Sequence, residues 1–323
     1  MERVLDPRDY GSLGVGCWAI GGPWDSAEGT PLGWGMVDDD ESIAAIRLAL
    51  DLGVRIFDTA DTYGAGHSER VLARGLQGHR DEVLIVSKFG NTFDEVAKRR
   101  TGTDVSPAYI RRATEDSLRR LETDRIDVHL LHVANVDPAV VPDVIGTLEA
   151  LVADGLIRSY GWSTDDMERA RLFAAHPNCA ALEIQLNVLS DASEMLALLE
   201  EQQLPALIRS PLAMGLLAGR VGRDTTLAAN DVRGIAPAWQ TWFRDSRPAP
   251  EFLGQVDAVR GILTEDGCTM VQGALAWLWA RSSWVIPIPG FRTSSQVEQN
   301  AAARDRGSLS ADQMACIEAA LSR

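Results

Sequence analysis

Disulfide frameworks and paired metal-binding thiols are missing from this sequence. Its 323 residues include only four cysteines, which are far apart and form no CxxC motif: Cys17, Cys179, Cys268 and Cys316. Scattered cysteines of this kind are typical of proteins that keep their thiols reduced. We therefore expect four buried free thiols in a protein of a reducing compartment.

Long apolar runs and an excess of positive charge are missing too. There is no apolar stretch of 18 residues, and the N-terminal MERVLDPRDY lacks the apolar run of a signal peptide, so we expect a cytoplasmic protein without a membrane partner. The 46 acidic residues outnumber the 31 basic ones and leave a formal charge of −15. This charge has the wrong sign for non-specific binding to nucleic acid, so local basic groups and backbone N–H donors must hold any anionic ligand. The oligomeric state cannot be inferred from the sequence.

Short apolar runs alternate with longer amphipathic segments from one end of the chain to the other. The eight runs predicted to be strands are VGCWAI (15–20), VRIFDTA (54–60), VLIVSKF (83–89), IDVHLLHV (126–133), LIRSYGWS (156–163), ALEIQLN (181–187), ALIRSPL (206–212) and WVIPIPG (284–290). Segments with helical periodicity lie between them, at 40–52, 107–121, 140–153, 165–175, 193–203, 252–263, 270–280 and 294–303.

This alternation predicts an α/β fold with a parallel sheet and right-handed crossovers. Eight repeats in about 300 residues favour a closed (β/α)₈ TIM barrel, with residues 1–323 as a single domain, over an open doubly wound sheet. The glycine-rich GSLGVG (11–16) precedes the first long strand instead of following one, so it is not a dinucleotide-binding fingerprint. Residues 215–251, after the seventh strand, have no clean periodicity and contain two tryptophans, which predicts a long functional loop or lid.

Three successive strands each carry an ionisable residue at the C-terminal end. Because strand residues alternate between faces, each of these residues shares a face with the two apolar residues that precede it by two and four positions. The sets are Val54, Ile56 and Asp58 in the second strand, Leu84, Val86 and Lys88 in the third, and Val128, Leu130 and His132 in the fourth. In a TIM barrel the C-terminal ends of the strands form the catalytic face, so an acid, a base and an imidazole are expected together there.

A phenol, Tyr63, follows the first of these strands in FDTADTYGAGHSER (57–70). A free phenol has a pKa near 10 and is a poor proton donor, but a nearby ammonium lowers that pKa, and a carboxylate can hold the ammonium in place. Asp58, Lys88 and Tyr63 are thus the parts of a tuned proton donor, and His132 can orient a carbonyl oxygen. The hydride that such a reaction requires must come from a cofactor.

These motifs resemble the aldo-keto reductase family over nearly the full chain. GVRIFDTADTYGAGHSE resembles the family's signature around its catalytic Asp and Tyr, SKFG its Lys strand and LLHV its His strand. The resemblance implies an enzyme with a (β/α)₈ barrel that reduces an aldehyde or ketone by direct hydride transfer from NADPH. It also implies that Tyr63 is the general acid, that Lys88 and Asp58 tune it, and that His132 orients the substrate.

The resemblance also implies an NADP(H) site built from several loops. GWST (161–164) is similar to a segment that holds the nicotinamide amide, and the alignment puts Glu183 at a position usually held by Gln, so that either Glu183 or Gln185 contacts the nicotinamide. Arg209 replaces an aromatic residue, and Arg292 is the expected partner of the 2′-phosphate. The full set of expected cofactor residues is Trp18, Ser163, Thr164, Glu183, Gln185, Arg209, Ser210, Pro211, Leu212, Gly215, Arg220, Gly290, Arg292, Gln296, Gln299 and Asn300.

Tryptophans dominate the loops expected to line the substrate pocket, namely Trp24, Trp34, Trp239 and Trp242. Such a lining suits an aromatic, alicyclic or sugar-like carbonyl compound without naming one. Two other functions are compatible with parts of the pattern. One is a non-catalytic NADP-binding barrel with a regulatory role. The other is a metal-dependent barrel hydrolase, which the three-residue spacing in HLLH disfavours because it puts the two histidines on opposite faces of a strand.

Overall fold

The computed structural model describes residues 4–5, 10–235, 237 and 240–323. Its strands, in chain order, are β1 (Gly14–Gly16), β2 (Ile56–Asp58), β3 (Leu84–Phe89), β4 (Asn91–Asp94), β5 (Arg99–Thr103), β6 (Ile126–Leu131), β7 (Ile157–Ser163), β8 (Cys179–Gln185), β9 (Ala206–Arg209), β10 (Phe243–Arg244), β11 (Arg247–Pro248) and β12 (Val285–Pro287). Its helices are α1 (Asp39–Asp51), α2 (His67–Gly75), α3 (Pro107–Leu121), α4 (Val141–Ala153), α5 (Met167–Ala174), α6 (Ser193–Glu201), α7 (Pro250–Leu263), α8 (Met270–Arg281), α9 (Ser294–Ala301), α10 (Ala303–Arg306) and α11 (Ala311–Ala320).

One sheet contains eight of these strands, in the order β1, β2, β3, β6, β7, β8, β9 and β12, and every paired neighbour in it is parallel. The two edge strands meet, because the N–H of Gly16 donates to the carbonyl oxygen of Pro289 at 3.1 Å and Gly16 forms a parallel bridge with Gly290. The sheet is therefore closed into a barrel, and the predicted fold class is confirmed.

Five of the six apolar residues predicted to face into the barrel do so, whereas Val54 was wrongly predicted: it precedes β2 and belongs to the outer cluster. Ile56, Leu84, Val86, Val128 and Leu130 belong to one buried cluster inside the sheet. A second and larger cluster lies between the sheet and the helices. The alternation of side chains along each strand thus brings the residue that follows the inner apolar pair to the C-terminal mouth of the barrel.

Local signals explain why several helices begin where they do. Ser106 caps α3 by accepting the N–H of Tyr109 at 3.4 Å, and Pro107 is the first residue of that helix. Thr269 and Gln272 form a reciprocal capping box at the start of α8. These caps satisfy N–H groups that have no partner within the helix, so α3 starts and ends as predicted.

The structure differs from the prediction at several places, among them the C-terminal helix α11, which none of the predicted helical segments covers. The first strand is shorter than expected, because Ala19–Gly21 forms a 3₁₀ turn. The hairpin of β4 and β5 was missed, since its exposed residues carry no apolar alternation. Only Cys17 and Cys179 are buried, whereas Cys268 is half-buried and Cys316 is exposed, so the expectation of four buried thiols was wrong.

The long segment after β9 has more structure than its sequence indicated. It starts with a 3₁₀ helix (Ala213–Ala218) and ends with the short hairpin of β10 and β11. Trp242 and Phe243 are buried in the outer core, so this end of the loop is packed onto the barrel. In the described part of the chain, no helix is both long enough and apolar enough to cross a membrane.

Closure of the barrel predicts that Gly16 tolerates no side chain. A Cβ at Gly16 would lie 2.8 Å from the backbone oxygen of Ile288, which cannot move without opening the contact between β1 and β12. We expect Gly16→Ala to lower the free energy of unfolding by roughly 1–3 kcal/mol, measured by denaturant titration. Gly146→Ala in α4 is the control, since a Cβ there meets nothing within 4 Å. It should raise stability by about 0.5–1 kcal/mol; an equal effect of both changes would contradict the argument.

Candidate active site

Lys88 and Asp58 form a buried ion pair at the mouth of the barrel. The Lys88 Nζ donates to both carboxylate oxygens of Asp58 at 2.6 Å and to the backbone oxygen of Thr59 at 3.0 Å. The Lys88 side chain is 0% exposed and that of Asp58 4%. The two oxygens of Asp58 lie on the same side of the ammonium, and the Thr59 carbonyl accepts from another side.

Glu183 is a second carboxylate at the same ammonium. Its Oε2 lies 3.1 Å from the Lys88 Nζ, while its Oε1 accepts a hydrogen bond from the Ser163 hydroxyl at 3.0 Å. Glu183 is 2% exposed, and its Oε2 has no hydrogen bond within the described part of the chain. The sequence placed Glu183 among the cofactor residues and missed its contact with Lys88. The shared parity of Ala181 and Glu183 in β8 was the signal that could have revealed it.

Tyr63 lies above this pair and is held by aromatic neighbours. Its ring stacks on Trp18 at 5.9 Å and meets the edge of the His132 ring at 5.7 Å. The Lys88 Nζ lies 5.2 Å from the centre of the phenol ring. All four predicted catalytic residues are thus brought together.

Two glycines fix the loop that carries Tyr63. Gly64 has a φ of +62°, and a Cβ there would lie 1.9 Å from the backbone oxygen of Gly21. A Cβ on Gly21 would in turn lie 2.9 Å from the backbone carbon of Tyr63. Only glycine fits both positions, so the backbone contact between these two loops sets the position of the phenol.

The pKa of Tyr63 is raised, whereas the sequence led us to expect a lowered value. Burial raises the pKa of this phenol most, Lys88 lowers it, and Asp58 and Glu183 raise it again. The expected influence of the ammonium is therefore present, but burial and two carboxylates outweigh it. The pKa of Lys88 is also raised, because Asp58 and Glu183 outweigh the effect of burial, so this side chain stays charged.

The pKa values of the Asp58 and Glu183 carboxyl groups are shifted in opposite directions. Burial, and then the charge of Glu183, raise the pKa of Asp58 well above its usual range. Burial acts to raise the pKa of Glu183, but Lys88, His132 and the hydrogen bonds with Asp58 and Lys88 together lower it. The pair of carboxyl groups therefore does not ionise as two independent acids.

His132 follows β6 and is neutral. The backbone N–H of His132 donates to the backbone oxygen of Phe89 at 2.8 Å, and the backbone oxygen of His132 accepts from the Asn91 side chain at 3.2 Å. Burial and the charge of Lys88 lower its imidazole pKa to about 3. The Nδ1 of His132 has no hydrogen-bond partner among the described residues. A neutral imidazole next to Tyr63 is able to form a hydrogen bond with a bound oxygen atom.

The expected nicotinamide segment contains an ion pair that was not foreseen. Arg209 pairs with Asp165, and its Nη1 donates to the Gln185 Oε1 at 3.0 Å. Gln185 is therefore bonded to Arg209, whereas Glu183 faces the catalytic lysine. Thr164 accepts the N–H of Asp166 at 3.1 Å.

The loop after β9 has an unusual backbone. Four residues in it have left-handed φ angles, namely Ser210, Ala213, Met214 and Gly215, and three of the four are not glycine. Such conformations cost free energy in residues with a side chain and often mark a functional loop. Of the other expected residues here, Pro211 is buried, Leu212 is half-buried and Arg220 is exposed.

The segment after β12 contains the expected phosphate residues, but their contacts are to other protein groups. The Nη1 of Arg292 donates to the backbone oxygen of Trp34 at 3.1 Å, and its Nη2 donates to that of Met36. At the start of α9, Ser294 donates its N–H at 2.7 Å and its hydroxyl at 3.1 Å to the Glu41 Oε1. Glu41 was not predicted, because nothing in its local sequence connects it with a residue 253 positions further along the chain.

The remaining residues of this segment have mixed surroundings. Gln296 accepts the N–H of Arg292 at 2.6 Å, and Gln299 is half-buried. Asn300 is 3% exposed, and its Nδ2 has no partner among the described residues. Gly290 is exposed at the barrel mouth.

The tryptophans proposed for the pocket occupy different environments. Trp34 meets the edge of Trp18 at 5.5 Å, while Trp24 and Trp242 are 7% and 3% exposed. Within the described residues, the indole N–H groups of Trp24 and Trp34 have no hydrogen-bond partner. Trp239 lies outside the residues that the structure describes.

Metal ligation has no support from side-chain placement. In the ranges that the structure describes, no group of three or more His, Cys, Asp or Glu side chains is arranged to hold a metal ion. The space between the two buried carboxylates is taken by the Lys88 ammonium.

Comparison with known proteins agrees with this geometry. The sequence model of the aldo/keto reductase family matches residues 12–322. The chain belongs to the aldo/keto reductase family. It is an oxidoreductase of that family, with relatives that use nicotinamide cofactors.

Three relatives show how far the similarity extends. The NADH-specific methylglyoxal reductase of Escherichia coli (strain K12) is 28% identical over 303 residues, which cover 90% of this chain and 89% of the relative. The structure of a glycerol dehydrogenase from Gluconobacter oxydans is 30% identical, with a TM-score of 0.79 and coverage of 97% and 91%. The structure of an aldo/keto reductase from Klebsiella pneumoniae in complex with NADP and acetate is 28% identical, with a TM-score of 0.69 and coverage of 95% and 90%.

The low pKa of His132 predicts that its ring stays neutral throughout the working pH range. Protonation would bring a second positive charge into a buried site beside Lys88. We therefore expect the imidazole NMR signals of His132, assigned with a His132→Gln variant, to stay constant as the pH falls from 8 to about 5. A titration with a midpoint near the ordinary value of about 6.5 would contradict this.

Proposed function

We propose that this protein reduces an aldehyde or ketone to an alcohol by direct hydride transfer from NADPH, with Tyr63 as general acid. The observation that carries the proposal is the position of Tyr63 between the buried Lys88 ammonium, 5.2 Å from its ring centre, and the neutral His132 ring. A half-buried phenol and an uncharged, half-buried imidazole next to a buried cation are suited to polarise and protonate a carbonyl oxygen that reaches them.

Each side chain has a separate task in this mechanism. Tyr63 gives its proton to the carbonyl oxygen, and Lys88 stabilises the phenolate that remains. Asp58 holds the ammonium below the ring through two hydrogen bonds of 2.6 Å. His132 binds the carbonyl oxygen and orients it. The bound cofactor supplies the hydride.

The raised pKa of Tyr63 keeps the phenol protonated but makes it a weaker acid, so proton transfer depends on Lys88 to stabilise the phenolate. A phenol whose pKa is raised by burial remains protonated across the neutral range, so the proton is available for reduction. For the reverse reaction the phenol would have to be ionised first, which its burial disfavours. The state of Tyr63 thus supports reduction as the favoured direction near neutral pH.

The residues of the cofactor site fit a nicotinamide dinucleotide. Three groups support this: the left-handed segment around Ala213–Ala218, Arg292 at the start of α9, and the unpartnered side-chain amide of Asn300. We propose NADP(H) as the cofactor, with Arg292 contacting the 2′-phosphate, as an arginine can do with its planar group of donors. The relative from Klebsiella pneumoniae was solved with NADP, whereas the relative from Escherichia coli is named as NADH-specific.

A small carbonyl compound is the proposed substrate class. Trp18 stacks on Tyr63 and Trp34 meets the edge of Trp18, so the two indoles provide flat apolar surfaces. The free indole N–H groups of Trp24 and Trp34 add donors for a polar substituent. This lining suits an aromatic, alicyclic or sugar-like aldehyde or ketone.

Removal of one hydroxyl group tests the proposed mechanism. Tyr63→Phe should lower kcat about 10²- to 10⁴-fold, because general-acid catalysis is lost, and leave the Kd for NADPH nearly unchanged. Tyr160→Phe is the matched control, since it removes the same group from a buried tyrosine that donates to Glu149 on the outer side of the barrel. The measurements are an NADPH-consumption screen over aldehydes, ketones and keto-sugars, and a fluorescence titration. Wild-type kcat in Tyr63→Phe would refute the mechanism.

Removal of the charged side chains next to the start of α9 tests the preference for NADPH over NADH. In the structure the Glu41 carboxylate accepts both donors of Ser294, so it competes with a 2′-phosphate at this helix end and should make the preference for NADPH small. Glu41→Gln should tighten NADPH roughly tenfold and leave NADH almost unchanged, whereas Arg292→Ala should weaken NADPH about ten- to hundredfold.

The neighbouring residue supplies the control for this experiment. Asp40 has 94% of its side chain exposed, so Asp40→Asn removes the same charge without touching Ser294. Fluorescence titration measures the Kd of each variant for NADPH and for NADH. Equal effects of Glu41→Gln and Asp40→Asn would mean that only overall charge matters, and an equal loss for both cofactors in Arg292→Ala would contradict the contact with the 2′-phosphate.

A further inference from the structure

Two buried carboxylates meet at the single ammonium of Lys88. Its Nζ lies 2.6 Å from both oxygens of Asp58 and 3.0 Å from the carbonyl oxygen of Thr59. Glu183 nevertheless brings its Oε2 to 3.1 Å from the same nitrogen, at a distance that gives attraction but outside hydrogen-bond geometry. A buried oxygen in this position lacks the hydrogen bond that buried polar atoms normally have.

The net charge of the three buried side chains also indicates that the site binds an additional proton. Asp58, Glu183 and Lys88, if all ionised, carry a net charge of −1 in a place from which solvent is excluded, since their side chains are 4%, 3% and 0% exposed. An unbalanced buried charge is costly, and two carboxylates that share a site usually retain one proton between them. A proton would balance the charge and give one of the two carboxyl groups a donor.

We propose that Glu183 is a positioning residue, which acts as a second carboxylate at Lys88. Because of this second carboxylate, the site binds one proton more than it would with a neutral side chain at position 183. The inference rests on the proposed function for its role in catalysis, but the proton itself is a property of the free protein. The other ionisable groups around the pair are Asp61, Cys17, Tyr63 and His132, with Arg209 and Arg100 acting on His132 from further away. Burial raises the pKa of the Asp61 carboxyl group well above its usual range, and a step that Asp61 causes would persist in Glu183→Gln.

None of these neighbours replaces the shared proton. Burial lowers the pKa of His132 to about 3, and burial raises the pKa of the Cys17 thiol, so both are uncharged near neutral pH. Tyr63 is uncharged as well, because burial raises its pKa. The proton therefore belongs to the pair formed by Asp58 and Glu183, and we assign it to the pair and not to either residue.

The extra proton has a consequence for turnover. When Tyr63 gives its proton to a carbonyl oxygen, a phenolate forms beside Lys88. Lys88 can return a proton to the phenolate and take the shared proton from the two carboxyl groups, which then regain one from solvent. The buried cluster thus always has a proton within reach of Tyr63, and its net charge changes by one at most.

The composition of the chain allows a direct test on the free, full-length protein. The sequence contains two lysines, Lys88 and Lys98, so lysine labelled with ¹³C at Cε gives two NMR signals. Lys98 is exposed and provides the internal reference. We expect the Lys88 signal to show a one-proton step between roughly pH 5 and 9, as its carboxylate neighbours lose the shared proton, while the Lys98 signal shows none there.

Two variants assign the step to Glu183. Glu183→Gln keeps the size of the side chain and an acceptor for Ser163 but removes the charge, so the step should disappear. Ser163→Ala removes the hydrogen bond to Oε1 and keeps the charge, so the step should remain. If Glu183→Gln does not fold, carboxyl-¹³C labelling of glutamate in the wild-type protein provides the same assignment.

A kinetic measurement connects the proton with catalysis. Glu183 is one of the groups that raise the pKa of Tyr63, so Glu183→Gln should move the alkaline limb of kcat/KM for reduction to lower pH, by about one pH unit. A merely structural role would change kcat/KM without moving this limb.

The possible outcomes separate the two proposals. A flat Lys88 signal in the wild-type protein, or a step that persists in Glu183→Gln, would overturn the shared proton even if the protein reduces carbonyl compounds. A step that is present in the wild-type protein and lost in Glu183→Gln supports the shared proton, and the absence of any carbonyl reduction would then refute only the proposed function.

Discussion

The buried ion pair of Lys88 and Asp58 is the interaction on which the active site depends. The loss of one partner of such a pair costs about 3–5 kcal/mol, because the other charge remains buried and unpaired. The pair is possible only because β2 and β3 are adjacent and in register, with Asp58 opposite Val86 and Lys88 two residues further on. The closed sheet that fixes this register thereby places the ammonium beneath Tyr63.

Much of the fold could be predicted, because strand alternation and helix caps are local properties of a sequence. Pro107–Leu121 was predicted to the residue, since Ser106 and Pro107 mark its start. The hairpin of Asn91–Asp94 and Arg99–Thr103 was missed, because its stability comes from pairing between exposed residues and leaves no apolar pattern. The packing of Trp242 into the core was missed for a similar reason, since it depends on contacts with distant residues.

The proposed catalytic residues could be located in the sequence because three of them lie at or next to the C-terminal end of a strand, and Tyr63 follows in the loop after β2. Their protonation states could not be predicted, since these depend on burial and on groups that are distant in sequence: the pKa of Tyr63 rises where adjacency to Lys88 alone had indicated a fall. Glu183 and Glu41 show the same limit. Glu183 contacts Lys88 across the sheet, and Glu41 contacts Ser294, which is 253 residues away in the chain. No local sequence pattern predicts such contacts.

Acidic side chains lie both at the proposed catalytic site and next to the proposed phosphate site. At the first of these sites, Glu183 adds a carboxylate to a site that already contains Asp58, and at the second Glu41 accepts the donors of Ser294. Hydrophobic replacements of buried charges are often neutral or stabilising, so stability alone does not explain why two carboxylates surround one lysine. Their effect on the proton count does explain it, because the second carboxylate adds a titratable proton within reach of Tyr63 without adding a second cation.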